Sequence, residues 1–204
     1  MHEHTCIPYK ETRTSVGSID LEYSNSSPLL YAAQNGHLEV TKLLLAQDDV
    51  DVNSKDNCDQ SPLSWAAKRG HLEVTMLLLA RDDVDVNPKD GWKRSPLLHA
   101  TRNGHLEVTK LLLARDDVDV NSKDNCDQSP LLYAARNGHL EVTKLLLARD
   151  DVDVNSKDED DRSPLSYAAR NGHLEVTKLL LARDDVDVNS KDEDNRSCRR
   201  YRII

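Results

Sequence analysis

Ser129-Pro130-Leu131-Leu132-Tyr133-Ala134-Ala135-Arg136-Asn137-Gly138-His139-Leu140-Glu141-Val142-Thr143-Lys144-Leu145-Leu146-Leu147-Ala148 decides the fold, because the chain writes this stretch, with small changes, five times. Its opening Ser-Pro recurs at Ser27-Pro28, Ser61-Pro62, Ser95-Pro96 and Ser163-Pro164, always at a step of 34 residues. Gly-His-Leu keeps the same step at Gly36, Gly70, Gly104, Gly138 and Gly172. Self-similarity at a fixed period of this size marks a stack of supersecondary units. A sixth unit begins with Asp187-Val188-Asn189, reaches Ser197 and breaks at Cys198, where proline is due.

Within a unit, Ser-Pro reads as a helix start. The serine oxygen accepts an orphan backbone N–H, and proline is tolerated at the first helical position. Pro130 to Asn137 is then a short first helix, and Gly138 suits its left-handed end. His139 opens a second helix through Ala148, whose Leu140, Val142, Leu145, Leu146 and Leu147 cover more than one stripe. A helix so broadly apolar needs cover on most sides, and stacked neighbours supply it. Val-Asp-Val-Asn-Ser-Lys-Asp between units reads as an extended arm with a tight turn at its tip.

These residues resemble the ankyrin repeat. The family pattern runs Thr-Pro-Leu-His-x-Ala-Ala-x-x-Gly-His-x-x-Val-Val-x-Leu-Leu-Leu, then a short turn and Asp-Val-Asn. The same frame here reads Ser163-Pro164-Leu165-Ser166-Tyr167-Ala168-Ala169-Arg170-Asn171-Gly172-His173-Leu174-Glu175-Val176-Thr177-Lys178-Leu179-Leu180-Leu181. The resemblance covers residues 27 to 197 and implies an all-α solenoid of stacked helix–loop–helix units joined by β-turn arms. It places residues 1–26 in an N-terminal tail or partial cap, 27–186 in the repeats and 187–204 in a truncated sixth repeat with a basic tail.

Three departures stand out. The period is 34 rather than the usual 33. Arg-Asp-Asp-Val follows the second helix where the family has Gly-Ala, so an aspartate there is expected to take the left-handed conformation, which Asp tolerates. Leu30, Ser64, Leu98, Leu132 and Ser166 replace the family histidine of the first helix, so its bond must be missing or replaced.

Composition narrows the function. The net charge is −9, 4% of residues are aromatic and phenylalanine is absent. Nucleic acid wants a basic surface, so this chain is not expected to bind it. The repeated Asp-Asp-Val-Asp, as at Asp116, Asp117 and Asp119, lacks the EF-hand ligand spacing and reads as a solvated ridge. Cys58 and Cys126 stand two units apart, about 20 Å at ordinary helix spacing, too far to pair with each other. Free thiols suit a reducing compartment, and Met-His-Glu-His-Thr-Cys opens no apolar run, so cytoplasm or nucleus is expected.

No catalytic, metal or cofactor constellation emerges. His37, His71, His105, His139 and His173 form a column at repeat spacing, too far apart to share a metal, and are expected to hold the turn between helices. Every candidate nucleophile recurs at the repeat period or lies in a tail, whereas catalysis needs one convergent set. The chain is therefore read as non-enzymatic.

Binding is the better expectation. Ankyrin relatives imply a concave groove lined by the arm tips and first helices. Two columns are expected to line it: Tyr31, Trp65, His99, Tyr133 and Tyr167, and Lys68, Arg69, Arg102, Arg136 and Arg170, with Gln34 at the start. Packing against the arms and ordinary solvation are the competing readings of these columns. The tip of unit three, Asp90-Gly91-Trp92-Lys93-Arg94, differs most from its siblings, which adds Trp92 and Arg94. Aromatics and arginine most often carry interface energy, and a guanidinium ladder favours a partner bearing carboxylates. With the tip of unit five reading Glu159-Asp160-Asp161, the groove is expected to grade from basic in the middle to acidic at the tips near the C-terminal end.

Unit five keeps its apolar second helix without polar substitution, so an open face and end-to-end self-association are expected. A regulatory segment of a larger protein and a structural spacer are the rival readings.

Overall fold

The structure, a computed structural model, describes residues 26–190. Among them lie ten helices in five pairs: α1 (Pro28–Asn35) with α2 (Leu38–Leu45), α3 (Pro62–Arg69) with α4 (Leu72–Leu79), α5 (Pro96–Asn103) with α6 (Leu106–Leu113), α7 (Pro130–Asn137) with α8 (Leu140–Leu147), and α9 (Pro164–Arg170) with α10 (Leu174–Leu181). The first helices stack on one another and the second helices do the same, giving two layers. No strand occurs among the described residues.

Each first helix starts where the sequence says. Ser129 Oγ accepts the Leu132 N–H at 3.2 Å with Pro130 at the first position, and the other four units repeat the cap. The second helix starts one residue later than expected. His139 is its N-cap, and its carbonyl accepts both the N–H and the Oγ1–H of Thr143. Leu97, Leu112, Leu131 and Leu146 are fully buried between neighbouring units. Each leucine so covered contributes about 2 kcal/mol, which an isolated pair of eight-residue helices could not collect.

The left-handed residue is not where the sequence put it. The Arg-Asp-Asp-Val segment has no positive φ; Ala114 closes α6 in right-handed geometry and Arg115 N–H bonds Leu112 O at 3.1 Å. Arg115 then grips Asp117 through Nε and Nη2, both at 3.0 Å, and reaches back to Leu79 O. The positive φ falls instead at the arm tips, on Asp59, Lys93, Asp127 and Asp161.

With the family histidine absent, the cap serines pair with other serines. Ser27, Ser95 and Ser129 bond the arm serines Ser54, Ser122 and Ser156 at 2.7–2.8 Å. Unit two has Pro88 at the arm position, and there Ser61 bonds Ser64 in its own helix at 3.2 Å. Ser163 likewise bonds Ser166, and Ser190 Oγ is left buried without a partner.

Cys58 and Cys126 are disulfide-bonded, and no cysteine among the described residues is free. The free thiols expected from the sequence are therefore corrected. The support they lent to a reducing compartment goes with them. Cys6 and Cys198 lie outside the described residues, as do the expected N-terminal cover and the basic tail. No described helix is long and apolar enough to cross a membrane.

Candidate functional site: the first-helix face and the arm tips

One aspartate organises each arm tip. Asp90 Oδ1 accepts the N–H groups of Trp92 and Arg94, both at 2.9 Å, which closes the turn around left-handed Lys93. Its Oδ2 is left for a donor from the first helix of the same unit. His99 Nε2 supplies it at 3.0 Å, Trp65 Nε1 serves Asp56 at 2.8 Å, and the hydroxyls of Tyr133 and Tyr167 serve Asp124 and Asp158 at 2.8 and 2.7 Å. The aromatic column thus ties the tip to the helix. The sequence held the signal, an aspartate nine positions before Trp65, His99, Tyr133 and Tyr167, though it does not reveal which way the ring turns.

That bond sets the burial. His99 is 1% exposed, and Tyr133 and Tyr167 are also buried, so three of the expected contact residues sit inside the packing. Burial holds His99 at a pKa of about 4, against the opposing pull of Asp90. It is neutral at pH 7 and donates from Nε2. Burial pushes Asp90 up, but His99 and Arg94 outweigh it and keep the carboxylate ionised. Trp65 is half-buried, with Lys68 and Arg69 over its ring.

The basic column lies over this aromatic platform. Arg102 is 5.3 Å from the Tyr133 ring and Arg136 5.2 Å from that of Tyr167, each reaching to the next unit. Lys68 sits 4.3 Å over Trp65 and Arg94 4.4 Å over Trp92. Arg69, Arg136 and Arg170 are exposed; Lys68, Trp92, Arg94 and Arg102 are half-buried. Of the acidic tip of unit five, Glu159 and Asp161 are exposed, but Asp160 is buried against Arg162 at 2.9 Å and adds no surface charge.

Two ladders fix these columns in register. Backbone bonds join tip to tip: Gly91 N–H to Cys58 O, Asn125 N–H to Trp92 O, Glu159 N–H to Cys126 O. On the arms, Asn87 Nδ2 donates to Asp117 O while its Oδ1 accepts the Asp119 N–H, and Asn53, Asn121 and Asn155 repeat this. His71, His105, His139 and His173 each reach back one unit to a main-chain carbonyl, as His105 Nε2 does to Lys68 O at 3.1 Å. The histidines therefore join units, beyond the turn within a unit expected for them. Among the described residues no group of three or more His, Cys, Asp or Glu could hold a metal ion.

Paired helices in two layers, joined by repeating ladders, define a helical-repeat solenoid, in which each unit touches only its neighbours. The family model of ankyrin repeats in three copies matches residues 29–124 and again 97–192, and the chain belongs to the ankyrin-repeat family. Ankyrin repeats generally act as protein-interaction modules and are typically non-enzymatic. No curated protein matches the chain.

Proposed function

We propose that this chain is a non-enzymatic module that binds a protein segment along its first-helix face and arm tips. The cations of that face carry the reading: Arg69, Arg136 and Arg170 are exposed and Lys68, Arg94 and Arg102 half-buried, on a chain whose net charge is −9. Trp65 and Trp92 add ring faces, while His99, Tyr133 and Tyr167 support the column from behind. The fitting partner is an extended segment rich in carboxylates, which forked guanidinium groups bind in pairs of hydrogen bonds. Ladders that fix the face in advance reduce the entropy lost on binding.

Affinity capture with the wild-type chain and with Arg102→Glu/Arg136→Glu tests this. Both side chains lie over tyrosine rings and neither is in an ion pair, Arg136 holding one neutral hydrogen bond to Gln128 Oε1 at 3.2 Å, so the variant should fold. A partner with an acidic stretch, kept by wild type and lost by the variant, is expected. Identical captures would remove the basic column from the binding face.

A second reading is end-to-end association. Leu174, Val188 and Leu181 are 62%, 61% and 51% exposed on the last described unit. The equivalent Leu140, Val154 and Leu147 are covered by the unit that follows them. Light scattering over a hundredfold concentration range should show growing mass, reduced in Leu174→Glu/Leu181→Glu; a constant monomer mass would end this reading.

A further inference from the structure

Most places where units two and three depart from their siblings lie close together in space. Position 69 is arginine where the other units have Asn35, Asn103, Asn137 and Asn171. Position 68 is lysine where units three to five have arginine, Trp65 and His99 replace tyrosine, and Trp92 and Arg94 belong to the odd tip of unit three. Lys68 Nζ is 4.3 Å from the Trp65 ring and Arg69 5.8 Å from it; Arg94 lies over Trp92 in the next arm. Arg94, Arg69 and Arg102 all bear on the Lys68 ammonium.

Charge there is unbalanced. The carboxylate felt at Lys68 is Asp90, and it is already committed: Oδ2 to His99 and to Arg94 Nε at 3.1 Å, Oδ1 to two backbone N–H groups. Asp56 is taken by Trp65 and its own turn. His99 is neutral and adds no charge. The Lys68 ammonium donates to Gln60 Oε1, at a long 3.4 Å. Four cations, Lys68, Arg69, Arg94 and Arg102, thus outnumber the two carboxylates Asp56 and Asp90, whose oxygens already accept hydrogen bonds. Burial, then Arg94, lower the Lys68 pKa to about 8, against the pull of Asp90.

We propose that Lys68, Arg69, Arg94 and Arg102 form a subsite for a phosphomonoester carried by the partner segment. This rests on the face-binding reading above and names one anchor within it. A phosphomonoester brings close to two negative charges and three acceptor oxygens at neutral pH, where a carboxylate brings one charge and two. Arginine forks and a lysine point charge are the side chains that take such a group. The indole faces hold the lysine and arginine stems in place for it. Units four and five keep arginine at 136 and 170 but asparagine beside it, so the dianion site is confined to the junction of units two and three.

Trp65 and Trp92 are the two tryptophans of the chain, so intrinsic fluorescence reads this site directly. The full chain is titrated at pH 7 and constant ionic strength with three peptide pools, alike except for a central phosphoserine, glutamate or serine. The phosphoserine pool should give a saturable change with at least tenfold tighter binding than the glutamate pool. Arg69→Asn, which installs the residue the sibling units carry and so should fold, and Lys68→Gln should each weaken phosphoserine binding by tenfold or more. Affinity should fall as pH rises from 7 to 9 while Lys68 discharges, and Lys68→Arg should keep the affinity and lose the pH dependence. Equal binding of the phosphoserine and glutamate pools overturns the subsite and leaves the acidic-segment reading standing. No response to any pool also overturns it, while the capture experiment, which depends on Arg102 and Arg136, still judges the wider face.

Discussion

His139 Nε2 lies 3.1 Å from the carbonyl oxygen of Arg102, and the same ring closes over Gly104, where an added Cβ would come within 2.7 Å of it. One glycine is thus needed twice. Its φ of +73° disfavours any side chain, and the space a side chain would take belongs to the next unit. Gly36, Gly70 and Gly138 stand in the same relation to His71, His105 and His173, whereas nothing lies within 4 Å of the Cβ position of Gly172.

Gly172→Ala should therefore cost only the left-handed backbone, about 1 kcal/mol. Gly104→Ala has the same backbone cost and also displaces His139 from Arg102 O, adding about 1–2 kcal/mol. Urea unfolding of both variants decides it. Equal losses would mean that the histidine ring moves aside freely.

His99 should make the fold acid-sensitive. Its folded pKa of about 4 lies below its ordinary 6.5, so the unfolded chain takes a proton that the folded chain refuses. Its contribution to stability is complete above pH 6.5 and falls as pH drops from 6.5 to 4, by on the order of 3 kcal/mol. His99→Tyr copies the Tyr133–Asp124 pair and should fold while flattening that decline. Parallel pH profiles for wild type and variant would sink the assignment.

Asn87→Ala removes two bonds to the backbone of the following unit, at 2.7 and 2.8 Å. The freed groups are exposed to water, so the loss should be about 1 kcal/mol rather than the cost of a buried orphan. Because stability in a solenoid depends on nearest-neighbour junctions, the loss should show as weaker coupling between units two and three. Hydrogen exchange should then reveal faster opening of the arm at Asp117 and Asp119, with little change at Asp185. Uniform acceleration along the chain would contradict a local junction.

Ser64 and Pro88 should be coupled. Ser64→Leu installs the residue of units one, three and four, but leaves the buried Ser61 hydroxyl facing Pro88 rather than a serine. The single change should destabilise by about 1–2 kcal/mol, and adding Pro88→Ser should recover most of it by rebuilding the pair seen between Ser129 and Ser156. Strict additivity in the double-mutant cycle would show that the serines act independently.

The repeat frame made much of this protein legible. Ser-Pro starts, glycine ends and the apolar second helices are local signals, and each acts through its own backbone or face. Ser129, Gly138 and Leu146 do what their types and positions require. The candidate site was only half legible. Its cations were readable as a column, because helix positions separated by the repeat period align. The roles of His99, Tyr133 and Tyr167 were not, because a ring turns inward or outward according to an aspartate that only the folded arm brings within reach.

The sequence by itself determined the five-unit register, the helix ends and the stacked-pair architecture, since these follow from short-range chemistry repeated at one period. Tertiary structure alone decided which residues other than glycine turn left-handed, that His71, His105, His139 and His173 serve the unit before them, that Ser61 and Ser163 turn to their own helices, and which cations crowd together. Those depend on distances between units, and a pattern along the chain carries no measure of what the neighbouring unit places opposite it.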